Sequence, residues 1–421
     1  MLRYLKSAAV MGLAAAAMTA VCATIAVAQD KQPIRIGFGM AETGPLGPNG
    51  KSALLAMEIW VEEANAKGGL LGRPVQLVHY DDQSNPSTVP GIYSKLLDVD
   101  KVDVIVGGYG TNMLAPAMPV VIQRKKVFLG LYGLGVNSEF GYDRYFAMIP
   151  TGPEPKTSFT RGFFDTAMAQ NPKPTTVAIV AADAEFSKNA AEGARENASK
   201  AGLKVVYDKS YPPATTDFGP IVRAIQATNA DLVVICSYPL DSVGMVLAAN
   251  EAKLNPKMIG GAMVGLQSTV FKTKLGPALN GYMNYDFWLP TKSFMFKGTA
   301  EFMQKYQDRA AKAGVDPLGY YMAPFSYTYL DVLGQAITAT KSLDDAKLAD
   351  YLRKTTFKTI VGDVAFGKNG EWAKSRVLQA QFRGIKGNGV DQFKNPGTLA
   401  IITPAELKSG EVIYPFEKAR Q

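Results

Sequence analysis

Histidine and cysteine are scarce in this chain. Its 421 residues include one histidine and two cysteines. Zinc sites usually take several histidine or cysteine ligands, which the sequence does not supply. His79 lies inside a predicted strand, without the partners that set the pKa of a catalytic base. Cys236 ends an apolar run and is predicted to be a buried strand residue rather than a nucleophile. The sequence therefore predicts no metal site, no cofactor and no enzymatic activity.

Concentrated basic charge is also missing. Lysine and arginine exceed aspartate and glutamate by 45 to 37, and this surplus is spread along the chain. Its densest point is the triplet Arg124-Lys125-Lys126. A nucleic-acid-binding surface needs a basic stripe interleaved with stacking aromatic residues. We therefore expect no nucleic-acid partner.

A complete phosphate-binding loop is not present either. The segment from Gly44 to Ser52 stands between a predicted strand and a predicted helix, as such a loop does. Five residues separate Gly44 from Gly50, whereas the motif requires four. Pro45 and Pro48 also remove two backbone N–H donors that would face phosphate oxygens. Nucleotide binding is not predicted.

The N-terminus has the pattern of an export signal. Arg3 and Lys6 are followed by an uncharged, mostly apolar stretch that ends in Ala26-Val27-Ala28. This pattern predicts a signal peptide, residues 1–28, cleaved after Ala28. No later stretch approaches 18 uninterrupted apolar residues. The mature chain is therefore expected to be exported and soluble.

Apolar runs alternate with helical patterns along the chain, and the alternation occurs twice. The proline-rich segment 150–155 separates the two sets. This order predicts an α/β fold with two similar doubly wound lobes, whose parallel sheets are joined by a multi-strand hinge. We assign residues 29–151 plus 287–360 to lobe 1 and residues 152–286 plus 361–421 to lobe 2. Ligands bind in the cleft of such hinged pairs.

Several short motifs are similar to those of one known family. They are Ile34-Arg-Ile-Gly-Phe38, Thr43-Gly-Pro45, Asn65–Pro74, Tyr80-Asp-Asp82 and Phe366–Trp372. With them the chain resembles the type I periplasmic binding proteins, and among these the branched-chain amino acid (Leu/Ile/Val) binding proteins of ABC importers. The resemblance implies a monomeric periplasmic protein that captures a small organic solute between its lobes. It also implies that the membrane permease subunits of an ABC importer are its partners.

The resemblance further implies where the ligand is held. In the family a hydroxyl and backbone N–H groups at a helix start hold the ligand's carboxylate, and this position aligns with Thr111. A second anchoring segment aligns with Gly135, and Tyr109 and Tyr132 are added because they follow strand ends. Thr111 could instead be a plain helix N-cap, and each aromatic residue could instead belong to the core. The candidate ligand-binding residues are Asn49, Tyr109, Gly110, Thr111, Asn112, Tyr132, Gly135, Phe186, Tyr238, Met263 and Tyr321.

Met263 is a departure from the family pattern. It follows the predicted strand 258–261, where amino-acid binders of the family usually have a carboxylate that pairs with the ligand's ammonium group. An ammonium group buried without a partner costs several kcal/mol. The sequence therefore favours a carboxylate-bearing hydrophobic or aromatic solute that has no free ammonium group.

Two alternatives stay open at this stage. Asp183, Glu185 or Asp241 could pair with an ammonium group, and the ligand would then be a branched-chain or other hydrophobic amino acid. The same fold and cleft could also serve a periplasmic sensor that reports its ligand to a membrane receptor.

Overall fold

The computed structural model describes residues 32–420. The predicted signal peptide, residues 1–28, lies outside the described residues. Within residues 32–420 no helix is both long enough and apolar enough to cross a membrane.

The first lobe is built on parallel strands. Its strands are apolar runs, as expected for strands that are covered by helices on both faces. Six of the seven residues of the first strand are buried, and all six are hydrophobic or glycine. Strand order is β2-β1-β3, and β4 pairs with β5. The two pieces are joined by the Gly107 N–H, which donates to the Leu129 carbonyl at 2.7 Å. In chain order the elements are β1 (Ile34–Met40), α1 (Gly47–Ala66), β2 (Val75–Asp81), α2 (Val89–Asp98), β3 (Val104–Ile105), α3 (Thr111–Gln123), β4 (Phe128–Leu131), α4 (Asn137–Phe140) and β5 (Tyr145–Met148).

The second lobe repeats the alternation of strand and helix. Its seven strands have the order β14-β13-β10-β9-β8-β6-β7. β13 runs antiparallel to both of its neighbours, β10 and β14. Its first elements are α5 (Pro155–Met168), β6 (Thr176–Ala182), α6 (Glu185–Lys200), β7 (Lys204–Tyr211), α7 (Gly219–Gln226), β8 (Leu232–Ser237), α8 (Pro239–Glu251), β9 (Met258–Met263), α9 (Thr269–Leu275) and β10 (Met283–Asp286).

The chain then returns to the first lobe and crosses once more. Trp60 of α1 packs on Gly334 of the returning segment, and Arg309 pairs with Glu62 at 2.7 Å. The remaining elements are α10 (Thr299–Ala313), α11 (Ala323–Thr340), α12 (Asp345–Lys354), β11 (Phe357–Thr359), β12 (Gly362–Val364), β13 (Leu378–Phe382), β14 (Leu399–Thr403) and α13 (Phe416–Ala419).

The chain crosses between the lobes three times, near residues 150–155, after β10 and after β12, and these crossings form the hinge. The third crossing lies further along the chain than predicted. β12 pairs with β11 in the first lobe, and the Ala147 N–H of β5 donates to the Gly370 carbonyl at 2.8 Å. The passage therefore lies between Trp372 and Leu378 rather than at residue 361. The Arg376 N–H donates to the Pro150 carbonyl at 2.7 Å and so ties this passage to the first one.

Cys236 lies in β8 and its side chain is fully buried. Burial raises the pKa of its thiol to about 12. A thiol that stays protonated is a poor nucleophile, so the observed environment agrees with the predicted structural role.

The contact between α5 and α6 requires a glycine. A Cβ at Gly193 of α6 would lie 1.9 Å from the Lys156 carbonyl oxygen, so the helices must separate to accept it. We expect Gly193→Ala to lower the free energy of unfolding by about 1–3 kcal/mol. The matched control is Gly91→Ala in α2, where a Cβ meets no atom within 4 Å. The control is expected to be neutral or stabilising by up to about 1 kcal/mol. Urea unfolding of both variants measures the difference, and equal midpoints would contradict this account of the contact.

Candidate functional site

A cavity lies between the two lobes. The empty space among its lining residues is about 410 Å³ when the part open to solvent is counted, but the centre of a water molecule fits into only about 20 Å³ of it. The lobes therefore leave little free room between the lining residues. No charged side chain is among its lining residues, which are Leu46, Tyr109, Gly110, Thr111, Asn112, Tyr132, Ile149, Phe159, Phe186, Tyr238, Val264, Tyr285, Phe287 and Tyr321.

The start of α3 faces this cavity. Gly110 occupies the N-cap position with a φ of 93°, a conformation that suits glycine. The N–H groups of Met113 and Leu114 donate to the Gly110 carbonyl, whereas those of Thr111 and Asn112 have no acceptor among the described residues. Free N–H groups at the positive end of a helix dipole form a site for an anion.

Thr111 adds a hydroxyl to the same place. Its side chain is almost fully buried, and its Oγ1 accepts a hydrogen bond from the Leu134 N–H at 3.0 Å. The hydroxyl proton can therefore still be donated. Because Gly110 is the N-cap residue, Thr111 does not have the plain capping role that the sequence left open.

Two asparagines connect the lobes beside the cavity. Asn112 Oδ1 accepts from the Tyr238 hydroxyl at 2.5 Å and from the Phe186 N–H at 3.2 Å. Asn189 Nδ2 donates to the Leu134 carbonyl at 2.9 Å. These hydrogen bonds cross from one lobe to the other, so they exist only in the closed arrangement.

Aromatic rings form most of the cavity wall. Tyr132 stacks on Tyr321 with ring centroids 5.0 Å apart, and Phe287 lies 5.0 Å from the Tyr132 ring. On the other lobe Phe159 lies 4.3 Å from Tyr285 and 5.5 Å from Phe186. Offset and edge-to-face rings of this kind suit the body of a flat apolar ligand.

The hydroxyl groups of three tyrosines in the cavity wall, Tyr109, Tyr285 and Tyr321, lie close together. The Tyr321 hydroxyl is 3.5 Å from that of Tyr109 and 3.3 Å from that of Tyr285. Asn49 Nδ2 donates to the Tyr109 hydroxyl oxygen at 2.8 Å. Burial raises the pKa of all three phenols, so they stay protonated at neutral pH.

The structure brings together eight of the eleven residues predicted from the sequence and leaves three outside the lining. Asn49 lies behind the wall and supports Tyr109. Gly135 has a φ of 65° and faces the Lys156 side chain, at the contact between the lobes. Met263 is fully buried, and its N–H donates to Asn284 Oδ1 at 2.9 Å.

Met263 misses the cavity because β9 is longer than predicted. The strand continues to Met263, which pairs with Ser237 of β8, and the side chain turns into the core. The next residue, Val264, begins a short 3₁₀ turn and lines the cavity instead.

Sequence reasoning missed six lining residues. Tyr285 and Phe287 alternate at the end of β10, where the chain leaves the second lobe, and this position is the signal that could have identified them. Phe159 follows the proline-rich passage in the second turn of α5. The other three are Leu46, Ile149 and Val264.

The carboxylates that could pair with an ammonium group lie outside the lining. Asp183 pairs with Lys188 at 2.8 Å on the surface, and Glu185 is half-buried. Asp241 accepts from the Tyr211 hydroxyl at 3.2 Å, and burial raises its pKa. Asp286 accepts from the Phe287 N–H at 2.8 Å, and burial raises its pKa to about 6.

Comparison with known proteins supplies the family. The model of the family described as "Periplasmic binding protein" matches residues 33–386. Leu/Ile/Val-binding protein homolog 7 of Brucella abortus (strain 2308) is 24% identical over 363 residues, which are 83% of this chain and 89% of that protein.

Solved structures confirm the predicted fold class. The leucine binding protein LivK from Thermotoga maritima MSB8 superposes with a TM-score of 0.72 at 20% identity, over 89% of this chain and 100% of that one. A solute binding protein of an ABC transporter from R. palustris, in complex with benzoate, has a TM-score of 0.73 at 15% identity, over 90% and 99%. The chain therefore belongs to the periplasmic binding protein family, whose members are solute-binding proteins rather than enzymes; it is similar to Leu/Ile/Val-binding proteins in sequence and to LivK in fold.

Proposed function

We propose that this protein captures a small carboxylate-bearing hydrophobic or aromatic solute in the cavity between its lobes and delivers it to the permease of an ABC importer. The observation that carries the proposal is the chemistry of the lining. One part offers the N–H groups of Thr111 and Asn112 and the Thr111 hydroxyl, and the rest is aromatic or aliphatic.

The start of α3 would hold the carboxylate. Two backbone donors, one hydroxyl donor and the helix dipole act on the same spot, and each favours a negative group. Little room for water remains at the site when the lobes are closed, and this strengthens the hydrogen bonds to a bound carboxylate.

An amino acid fits this lining less well. Its ammonium group needs an acceptor of negative charge, and Asp183 and Glu185 are not on the cavity wall. Asp241 lines only an adjoining pocket, beyond Tyr238. Leaving that charge buried and unpaired costs several kcal/mol. The two solved relatives include one that binds benzoate and one named as a leucine binding protein, so both ligand classes occur on this fold. The choice between them therefore rests on the lining.

Binding and release follow from lobe movement. The space inside the closed cavity is too narrow for a ligand to enter, so the lobes must first separate. The solute binds to the lobe that carries Thr111, and closure then adds Phe186, Tyr238 and Tyr285 from the other lobe. The bonds of Asn112 and Asn189 re-form, water is excluded, and the closed shape is what the permease recognises.

The test is a ligand panel on protein that has been unfolded and refolded to remove any co-purified solute. Calorimetry and thermal unfolding compare benzoate, 3- and 4-hydroxybenzoate, phenylacetate and 4-methylpentanoate with leucine, valine and phenylalanine. We expect at least one acid to bind with micromolar or tighter affinity, which is about −8 kcal/mol. No binding is expected for the amino acids. Tight binding of leucine or valine and none of the acids would reject the proposed ligand class.

Delivery to an importer is tested separately. We expect a strain that lacks the gene to lose high-affinity uptake of the labelled ligand. Unchanged uptake would reject the transport role and leave a sensor in its place.

A further inference from the structure

The three tyrosine hydroxyls form a second polar site in the cavity, separate from the start of α3. Tyr109 and Tyr321 belong to the first lobe, and Tyr285 belongs to β10 of the second lobe. Their oxygen atoms meet at 3.3 and 3.5 Å only because the lobes are closed. The site is therefore assembled at the moment when a ligand is enclosed.

These hydroxyls have more protons than acceptors. Asn49 already donates to the Tyr109 oxygen, which leaves all three hydroxyl protons to be placed. Two contacts between the oxygens can use two of these protons. The Gln267 amide beside Tyr285 acts as a donor to that phenol, and the described residues show no hydrogen bond from the cluster to an acceptor outside it, so the third proton stays unused. A buried donor without an acceptor is unfavourable, so the cluster is incomplete as it stands.

The two contacts are also long for their kind. Hydroxyl–hydroxyl hydrogen bonds are usually about 2.7–2.8 Å, and these are longer by half an ångström or more. An oxygen atom from a ligand can accept the unused proton and shorten the network. Because burial keeps the phenols protonated, they donate hydrogen bonds and offer no negative charge to a cation.

Apolar rings around the cluster limit what can bring that oxygen. Tyr285 is packed against Phe159 and Phe287, and Tyr321 is stacked on Tyr132. A flat ring fits between such walls, whereas a charged or strongly hydrated group does not. The carboxylate is already accounted for by the start of α3, so the second oxygen is an uncharged one.

We propose that Tyr109, Tyr285 and Tyr321 recognise an uncharged oxygen substituent, a hydroxyl or carbonyl, on the ring of an aromatic acid. This inference rests on the proposed function and narrows it. The preferred solute is an oxygen-substituted aromatic acid, such as a hydroxybenzoate, rather than an unsubstituted one. A ring hydroxyl accepts the unused tyrosine proton and donates its own to another tyrosine oxygen.

The experiment compares the dissociation constants of benzoate, 4-methylbenzoate, 3-hydroxybenzoate and 4-hydroxybenzoate by calorimetry. We expect one of the hydroxy acids to bind at least about 10-fold more tightly than benzoate, and the methyl analogue, which matches its size, to show no such gain. Tyr285→Phe and Tyr321→Phe are each expected to reduce the preference to about two-fold or less. Tyr132→Phe is the control, because its hydroxyl donates to the Tyr321 carbonyl at 2.7 Å and lies outside the cluster. Tyr132→Phe should weaken the binding of benzoate and of the hydroxy acid by the same factor and leave the preference for the hydroxy acid unchanged.

The outcomes separate this inference from the proposed function. If benzoate binds as tightly as both hydroxy acids, or if neither phenylalanine variant alters the preference, the tyrosine site is rejected and the proposed function stands. If no aromatic or aliphatic acid binds at all, both are rejected. Thermal unfolding of each variant verifies that it is folded, and two separate variants keep the test decisive if one of them is not.

Discussion

Replacement of Val264 by aspartate is expected to weaken the binding of an aromatic acid by about 100-fold. Val264 lines the cavity and is almost fully buried. Two like charges about 6 Å apart at an effective dielectric constant of about 20 repel each other by about 3 kcal/mol. That energy is about a factor of 100 in Kd. The loss should shrink as pH is lowered, because protonation of the new side chain removes the repulsion.

The control for this variant is Val264→Asn, which has nearly the same shape as the aspartate and no charge. We expect it to lose much less affinity, about 10-fold, because only apolar contact and a polar desolvation term change. Calorimetry with the tightest acid of the panel and with leucine measures both. Should the aspartate variant keep its affinity for the acid, the carboxylate is not held near Val264. Should the wild type bind leucine and the variant bind it more tightly, the natural ligand carries a cation.

Replacement of Glu371 by glutamine is expected to stabilise the protein by about 3–5 kcal/mol at pH 9 and by little at pH 5. Glu371 lies at the hinge, is 1% exposed, and neither carboxyl oxygen has a hydrogen-bond partner among the described residues. Burial raises its pKa from 4.5 to about 8, despite the nearby Thr151 hydroxyl.

The direction in which pH changes the stability follows from proton binding to Glu371. Between pH 4.5 and 8 the folded protein keeps a proton on Glu371 that the unfolded chain has released. Stability therefore falls as pH rises through this window and levels off above it. Glutamine is neutral at every pH, so the variant lacks this contribution and its stability curve is flatter.

Urea unfolding of wild type and variant from pH 5 to pH 9 measures this effect. Glu406→Gln is the control, since Glu406 is exposed and its replacement should leave the pH profile as it is. A Glu371→Gln variant that follows the wild-type profile in parallel would show that the Glu371 carboxyl has an ordinary pKa in the folded protein.

Much of the architecture could be predicted because it depends on local patterns. Strand β1 (Ile34–Met40) follows from the sequence alone, since a mostly apolar run that ends before glycines and prolines is typical of a strand covered on both faces. The helix predicted from Thr111 begins there because Gly110 supplies the turn that precedes it. Strand ends were less predictable. β9 extends two residues beyond the predicted strand, because its pairing with β8 stabilises an extended backbone that the sequence alone does not demand.

The site could be predicted only in part for the same reason. The family resemblance pointed to Thr111, and Thr111 and Asn112 keep this role in the structure because a helix start carries its N–H groups wherever it lies. Met263 ends β9 with its side chain in the core, and the 3₁₀ turn that begins at Val264 places the Val264 side chain in the cavity, so a small error in a strand end exchanges one residue for the other.

The amino-acid sequence by itself determined two α/β lobes, the hinge between them, the family resemblance and the helix start that favours an anion. These features arise from apolar periodicity, glycine and proline positions and short motifs, all of which act over a few neighbouring residues. Only the tertiary structure decided that Phe159, Tyr285 and Phe287 meet Tyr109, Tyr132 and Tyr321 in one cavity without a charged side chain. Those residues come from both lobes and from positions far apart in the chain, and they share a site because closure of the hinge brings two separately folded sheets together.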